Sequence, residues 1–94
     1  MRIKDGFVLR DVLGDNVIIA EGLEASVDFG RLLCLNETAA WLWEEAVRQS
    51  DFTISSLVKA LCDEYNVSEE KAQTDVTAIV EKWLEKKLIE DYNL

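Results

Sequence analysis

The sequence predicts an α+β domain, a three-stranded antiparallel sheet at the N-terminal side followed by a three-helix bundle, and three observations predict it. Up to Asn36, short runs of β-branched and aliphatic residues are separated by Gly, Asp and Asn, which is a strand-and-turn pattern. Beyond Asn36 the apolar spacing lengthens to about 3.6 residues, the period of a helix. The chain has no proline, no Ser/Gly-rich linker and no internal repeat, so residues 1–94 read as one domain. Strands first and helices afterwards give segregated α+β packing of winged-helix-like order.

Phe7-Val8-Leu9-Arg10-Asp11-Val12 is the first strand and Val17-Ile18-Ile19-Ala20 its antiparallel partner. Leu13-Gly14-Asp15-Asn16 between them tolerates the positive φ that a hairpin turn needs. Glu21 to Gly30 is a loop or irregular edge, with room for brief pairing at Ser26-Val27-Asp28-Phe29, and Arg31-Leu32-Leu33-Cys34-Leu35 is the third strand. The first helix is capped by Asn36 or Thr38, carries Glu37 at its positive end and runs through Val47. Ala40, Trp43 and Val47 form its apolar face with Ala39 and Leu42 beside them, Glu44, Glu45 and Arg48 face water, and Trp41 falls off the stripe. Thr53 caps a second helix bearing Ile54, Leu57, Val58, Leu61 and Cys62, which Asn66 closes as a left-handed C-cap. Ser68 caps the third helix, whose stripe is Ala72, Val76, Ile79, Val80, Trp83 and Leu84. Lys82, Lys86 and Lys87 gather at its negative end, and Leu88-Ile89 folds back as the chain leaves it.

Composition excludes several kinds of function. Nineteen acidic against ten basic residues give a net charge of −9, which repels phosphate backbones and anionic membranes. No nucleic acid and no membrane is expected as a partner. A DNA-binding winged helix is the weakest alternative, because the first turns of the third helix carry Glu69, Glu70 and Asp75 against the single Lys71. No apolar run approaches the roughly 18 to 20 residues that cross a bilayer, and Met1-Arg2-Ile3-Lys4-Asp5 lacks a signal-peptide core, so a cytoplasmic location is expected. Cys34 and Cys62 sit inside apolar patterns and read as small buried hydrophobes. The chain has no His, which removes Cys-His catalysis and the usual zinc spacings. Gly6, Gly14, Gly22 and Gly30 are isolated turn residues rather than a phosphate loop. Glu44-Glu45 and Glu69-Glu70 are sequence neighbours that diverge around a helix, which is a solvated surface and not an acid/base pair. The expectation is a protein without catalytic residues, metal or cofactor.

One segment is recognisable. Leu35-Asn36-Glu37-Thr38-Ala39, continued by Leu42-Trp43-Glu44, resembles the characteristic strand-to-helix junction of the PqqD-like family, named for coenzyme PQQ synthesis protein D. The similarity extends through Thr53, Leu57, Val58 and Leu61, through Tyr65-Asn66-Val67 and through Ala72, Asp75 and Val76 to Leu88-Ile89. Lys87 stands where the family often has Gly. The resemblance implies a RiPP recognition element, a non-catalytic adaptor that binds the leader of a ribosomally synthesised precursor peptide. Such an adaptor presents the peptide to a modifying enzyme, a radical SAM protein in coenzyme PQQ biosynthesis or another peptide-modifying enzyme.

It further implies capture by strand addition in the groove between the third strand and the third helix. Here that corresponds to Arg31, Leu32, Leu33, Cys34 and Leu35 and to the helix face bearing Lys71, Ala72, Asp75, Val76 and Ile79. An edge strand with unpaired backbone groups over an apolar floor suits that mode, and the same edge leaves room for a homodimer. Leu33, Leu35, Val76 and Ile79 fit an ordinary core as well as a groove floor. Arg31 is the candidate for an acidic leader residue and Asp75 for a basic one. The rival reading is a PqqD-like fold used as an interaction or regulatory domain for a folded protein partner.

Overall fold

A computed structural model describes residues 1–20 and 33–91 of the chain. In chain order its elements are β1 (Arg2–Ile3), β2 (Phe7–Val12), β3 (Asp15–Ala20), β4 (Leu33–Leu35), α1 (Glu37–Gln49), α2 (Ile54–Glu64), α3 (Glu69–Glu85) and β5 (Ile89–Glu90). The hairpin turn is tighter than the sequence predicts. Leu13 and Gly14 alone make it, with φ of 54° and 89°, and Gly14 N–H donates to Asp11 Oδ1 at 2.9 Å. Both residues are left-handed, as the primed turn of a two-residue hairpin requires, so Asp15 and Asn16 join the strand.

β2, β3 and β4 form one antiparallel sheet in that order. Ile18 of β3, fully buried, stands opposite Leu9 on β2 and Leu33 on β4, which puts these side chains on the face that meets the helices. The core continues through Leu42, Trp43 and Ala46 of α1, Leu57, Val58 and Leu61 of α2, and Ala72, Val76, Val80 and Trp83 of α3. Phe52, in the connector before Thr53, is also fully buried.

A second, two-stranded sheet pairs β1 with β5, Arg2 opposite Glu90 and Ile3 opposite Ile89. Two-residue strands are too short to show a period, so the sequence reading saw only a chain folding back.

The caps explain where each helix starts and stops. Asn36, not Thr38, caps α1, accepting from Ala39 N–H at 2.8 Å. Thr53 and Ser56 make a reciprocal capping box on α2, and Ser68 Oγ accepts from Lys71 N–H at 3.2 Å to cap α3. The expected left-handed Asn66 is absent: α2 ends on Tyr65 in extended geometry, φ −118° and ψ 150°.

The left-handed residue lies instead at Lys87, with φ 61°. There Leu88 N–H donates to Trp83 O at 2.9 Å and Lys87 N–H to Leu84 O at 3.0 Å, the paired bonds of a Schellman cap with Leu88 buried behind it. The glycine that the sequence resemblance places here is what that conformation favours. Lys87→Gly is therefore expected to stabilise the protein by roughly 0.5–1 kcal/mol, read as a higher urea midpoint at unchanged slope.

Two sequence expectations about α1 and the cysteines are corrected. Glu45 is not solvated but 8% exposed. Arg48 holds both its carboxylate oxygens, with Nε donating to Oε1 at 3.0 Å, and Gln49 Nε2 donates to Oε2 at 2.9 Å. The hydrogen bonds from Arg48 and then Gln49 outweigh burial and hold the Glu45 carboxyl below its ordinary pKa. Gln49 in turn accepts from Ser56 Oγ at 2.6 Å, tying the end of α1 to the start of α2. A buried charge with three side-chain donors is invisible to a pattern that counts only apolar positions. Cys34 is likewise exposed rather than buried, and Cys62 half-buried.

Candidate functional site

The site is built where β4 runs directly into α1. Asn36 is extended, φ −72° and ψ 174°, and its side chain caps the helix, so the strand stops after Leu35 and α1 begins without a loop. β4 uses one flank to pair with β3, Leu33 opposite Ile18, Cys34 opposite Val17 and Leu35 opposite Asn16. Its other flank is the edge of the sheet among the described residues.

Beside β4 lies a cavity of about 250 Å³ that α3 closes on the far side. Ala39 and Trp83, both buried, and the half-buried Leu33 and Leu35 make it apolar. Ala78, Ile79 and Lys82 supply the α3 wall, while the exposed Cys34 and Asn36 border the strand side. The buried Trp83 is fixed edge-to-face against Trp43, ring centroids 5.1 Å apart, so the apolar surface of the cavity is anchored in the core. A hollow of about 310 Å³ between α2 and α3 is larger, but Lys59, Asp63 and Glu69 line it and it adjoins no strand. A strand edge with an apolar cleft at its side offers both backbone hydrogen bonds and a place for alternate side chains, the two requirements of strand addition.

Of the residues singled out from the sequence, Leu33, Cys34, Leu35 and Ile79 come together around this cavity. Ala72 and Val76 do not reach it. Both are fully buried, with no surface left for a ligand, and belong to the core beneath. Lys71 and Asp75 pair with each other on the outer face of α3, Lys71 Nζ donating to Asp75 Oδ2 at 3.0 Å, with Lys71 about two turns and Asp75 about one turn before the cavity's Ala78. Arg31 and Leu32, and the pairing weighed at Ser26 to Phe29, lie outside the described residues. Asn36, Ala39, Ala78, Lys82 and Trp83 were missed as a group. The spacing Asp75, Ala78, Lys82 (i, i+3, i+7) was available, but Lys82 had been absorbed into the terminal cations and Trp83 into the core stripe.

The family model of coenzyme PQQ synthesis protein D matches residues 17–89, more than three quarters of the chain. The chain belongs to the PqqD family. Two solved structures share the fold. TbiB1 in complex with the TbiA(β) leader peptide is 20% identical, with 100% of each chain covered and a TM-score of 0.75. A lasso peptide synthetase B1 complexed with the leader peptide is 19% identical, with 96% of each chain covered and a TM-score of 0.69. No curated protein matches the chain in sequence. No helix among the described residues is long and apolar enough to cross a membrane.

Proposed function

We propose that this PqqD-family chain is a non-catalytic adaptor that captures the leader of a ribosomally made precursor peptide and holds it for a modifying enzyme. The observation that carries the reading is the flank of β4 left unpaired among the described residues, beside the apolar cavity, in a fold shared with two solved proteins that are complexed with leader peptides. The leader adds as a strand against Leu33, Cys34 and Leu35, and one of its side chains enters the cavity against Ile79 and Trp83. Arg31 and Leu32 are assigned to peptide contact by the sequence resemblance, as are Lys71 and Asp75 at the outer end of the α3 face.

The energetics suit a carrier that must also release its cargo. A few added backbone hydrogen bonds contribute about 0.5–1.5 kcal/mol each, and one buried aliphatic side chain about 1.5–3 kcal/mol. After the cost of ordering the peptide, the balance is a few kcal/mol, which makes capture weak and reversible. The modifying partner is a radical SAM protein or another peptide-modifying enzyme, and the fold relative that is a lasso peptide synthetase B1 favours machinery of that kind.

The test is a titration of the isotope-labelled protein, followed by NMR, with leader peptides taken from short reading frames beside its gene. Shifts concentrated on Leu33 to Asn36 and Ala78 to Trp83 are the expected result. A footprint on α2, or no response to any such leader, overturns the proposal.

A further inference from the structure

We propose that Lys82 reads an acidic side chain of the captured peptide, two positions along from the residue that fills the cavity. The inference rests on the capture reading above and adds the chemical class of the sequence captured. Lys82 is exposed at the wall of an apolar cavity in a chain of net charge −9, and among the described residues it makes no salt bridge or side-chain hydrogen bond. Its surroundings on α3 differ in this respect. Lys71, on the same helical stripe, is already neutralised by Asp75, and the next residue of the stripe is the small, uncharged Ala78. The helix wall along the groove thus presents a closed ion pair, then a gap, then an open cation.

Helix-dipole complementation explains why a lysine occurs near the end of α3, but not why it lies on this face. Lys86 and Lys87 serve the same terminus without lining the cavity. Asn36 adds a second donor-bearing side chain at the cavity, since its Oδ1 is engaged with Ala39 N–H while, among the described residues, no acceptor engages its amide N–H groups. Both Lys82 and Asn36 therefore offer N–H groups to a ligand, and Asp75, the carboxylate of the neighbouring ion pair, does not line the cavity.

Spacing turns this into a motif. Four residues along α3, from Ala78 to Lys82, advance about 6 Å, and two residues along an extended peptide advance about 6.6 Å. Side chains at alternate positions of a strand share one face, so the residue over Ala78 and the residue over Lys82 stand two apart in the ligand. The recognised class is a large apolar residue and an Asp or Glu separated by one position.

Selection from a random-peptide display library, run in parallel on the full wild-type chain and on K82E, tests it. Wild type is expected to enrich peptides with an acid two positions from a large apolar residue. K82E, with unchanged circular dichroism, is expected to bind those peptides roughly two- to five-fold more weakly and to enrich Lys or Arg at that position. Apolar-anchored peptides without an acidic preference, or the same preference on both proteins, overturn the role of Lys82 and leave peptide capture standing. If wild type enriches no peptide at all, the capture reading itself fails, and this inference with it.

Discussion

Replacing Ala78 with Trp is expected to weaken leader binding roughly ten- to a hundredfold while the fold persists. Ala78 is exposed on α3 and its Cβ borders the cavity of about 250 Å³ beside β4. An indole there buries itself against Leu33, Leu35 and Ile79, taking the space that a ligand side chain would otherwise fill. The ligand then forfeits about 1.5–3 kcal/mol of apolar burial, which is the origin of the expected factor. The protein itself loses little, since Trp at an exposed helix position costs only a few tenths of a kcal/mol in propensity and regains it by covering apolar surface. Isothermal titration with a leader peptide measures the loss, and a thermal melt near that of wild type shows that the fold is intact. Unchanged affinity in a folded A78W protein means that the peptide binds elsewhere. Ala78→Ser, which leaves the cavity open, is the matching control.

How much of this was legible in the sequence depends on whether a feature repeats along the chain or is assembled across it. The three helices and the β2–β3 hairpin were readable because Ile54, Leu57, Val58 and Leu61, or Val17 and Ile18 across from Leu9 and Arg10, repeat at the period of their element. Asn36, Thr53 and Ser68 announced the helix starts because a cap is a local event. The pairing of β1 with β5 was not readable, since it joins Ile3 to Ile89 across nearly the whole chain and neither strand exceeds two residues. Glu45 was misread for a related reason: its burial depends on Arg48 and Gln49 reaching back over it. For the site, the resemblance located the strand and the helix, but their mutual angle decided which α3 residues meet the cavity. That angle sends Val76 and Ala72 into the core and brings Ala78 and Lys82 to the groove. A helical stripe drawn on one face cannot tell the middle of a buried face from its margin, and ligand sites occupy margins.

Trp43→Ala is expected to be strongly destabilising, by about 3–5 kcal/mol. Trp43 is 1% exposed and meets Trp83 edge-to-face at 84° between ring planes, so this ring pair joins α1 to α3. Truncating a buried Trp costs about 3–5 kcal/mol in lost burial and cavity formation. A chain of 94 residues has roughly 5–14 kcal/mol in all. The melting temperature should therefore fall by roughly 15–30 °C, and the urea midpoint should fall in proportion to the lost stability at unchanged slope. Trp41 provides the contrast. It lies two residues away and is only half-buried, with its ring against the partly exposed Tyr65 at 5.7 Å. Trp41→Ala should cost about 1–2 kcal/mol, because part of that ring stays in water in the folded protein. Equal losses at the two positions would mean that the core is not centred on the Trp43–Trp83 pair. The result also bears on capture, because Trp83 is at once the partner of Trp43 and part of the cavity lining. Under conditions where W43A remains folded, a loosened Trp83 should lower leader affinity although Trp43 does not line the groove. That result would mean that the apolar cavity beside β4 owes its rigidity to two indoles, one of them in its own lining, that hold each other in place.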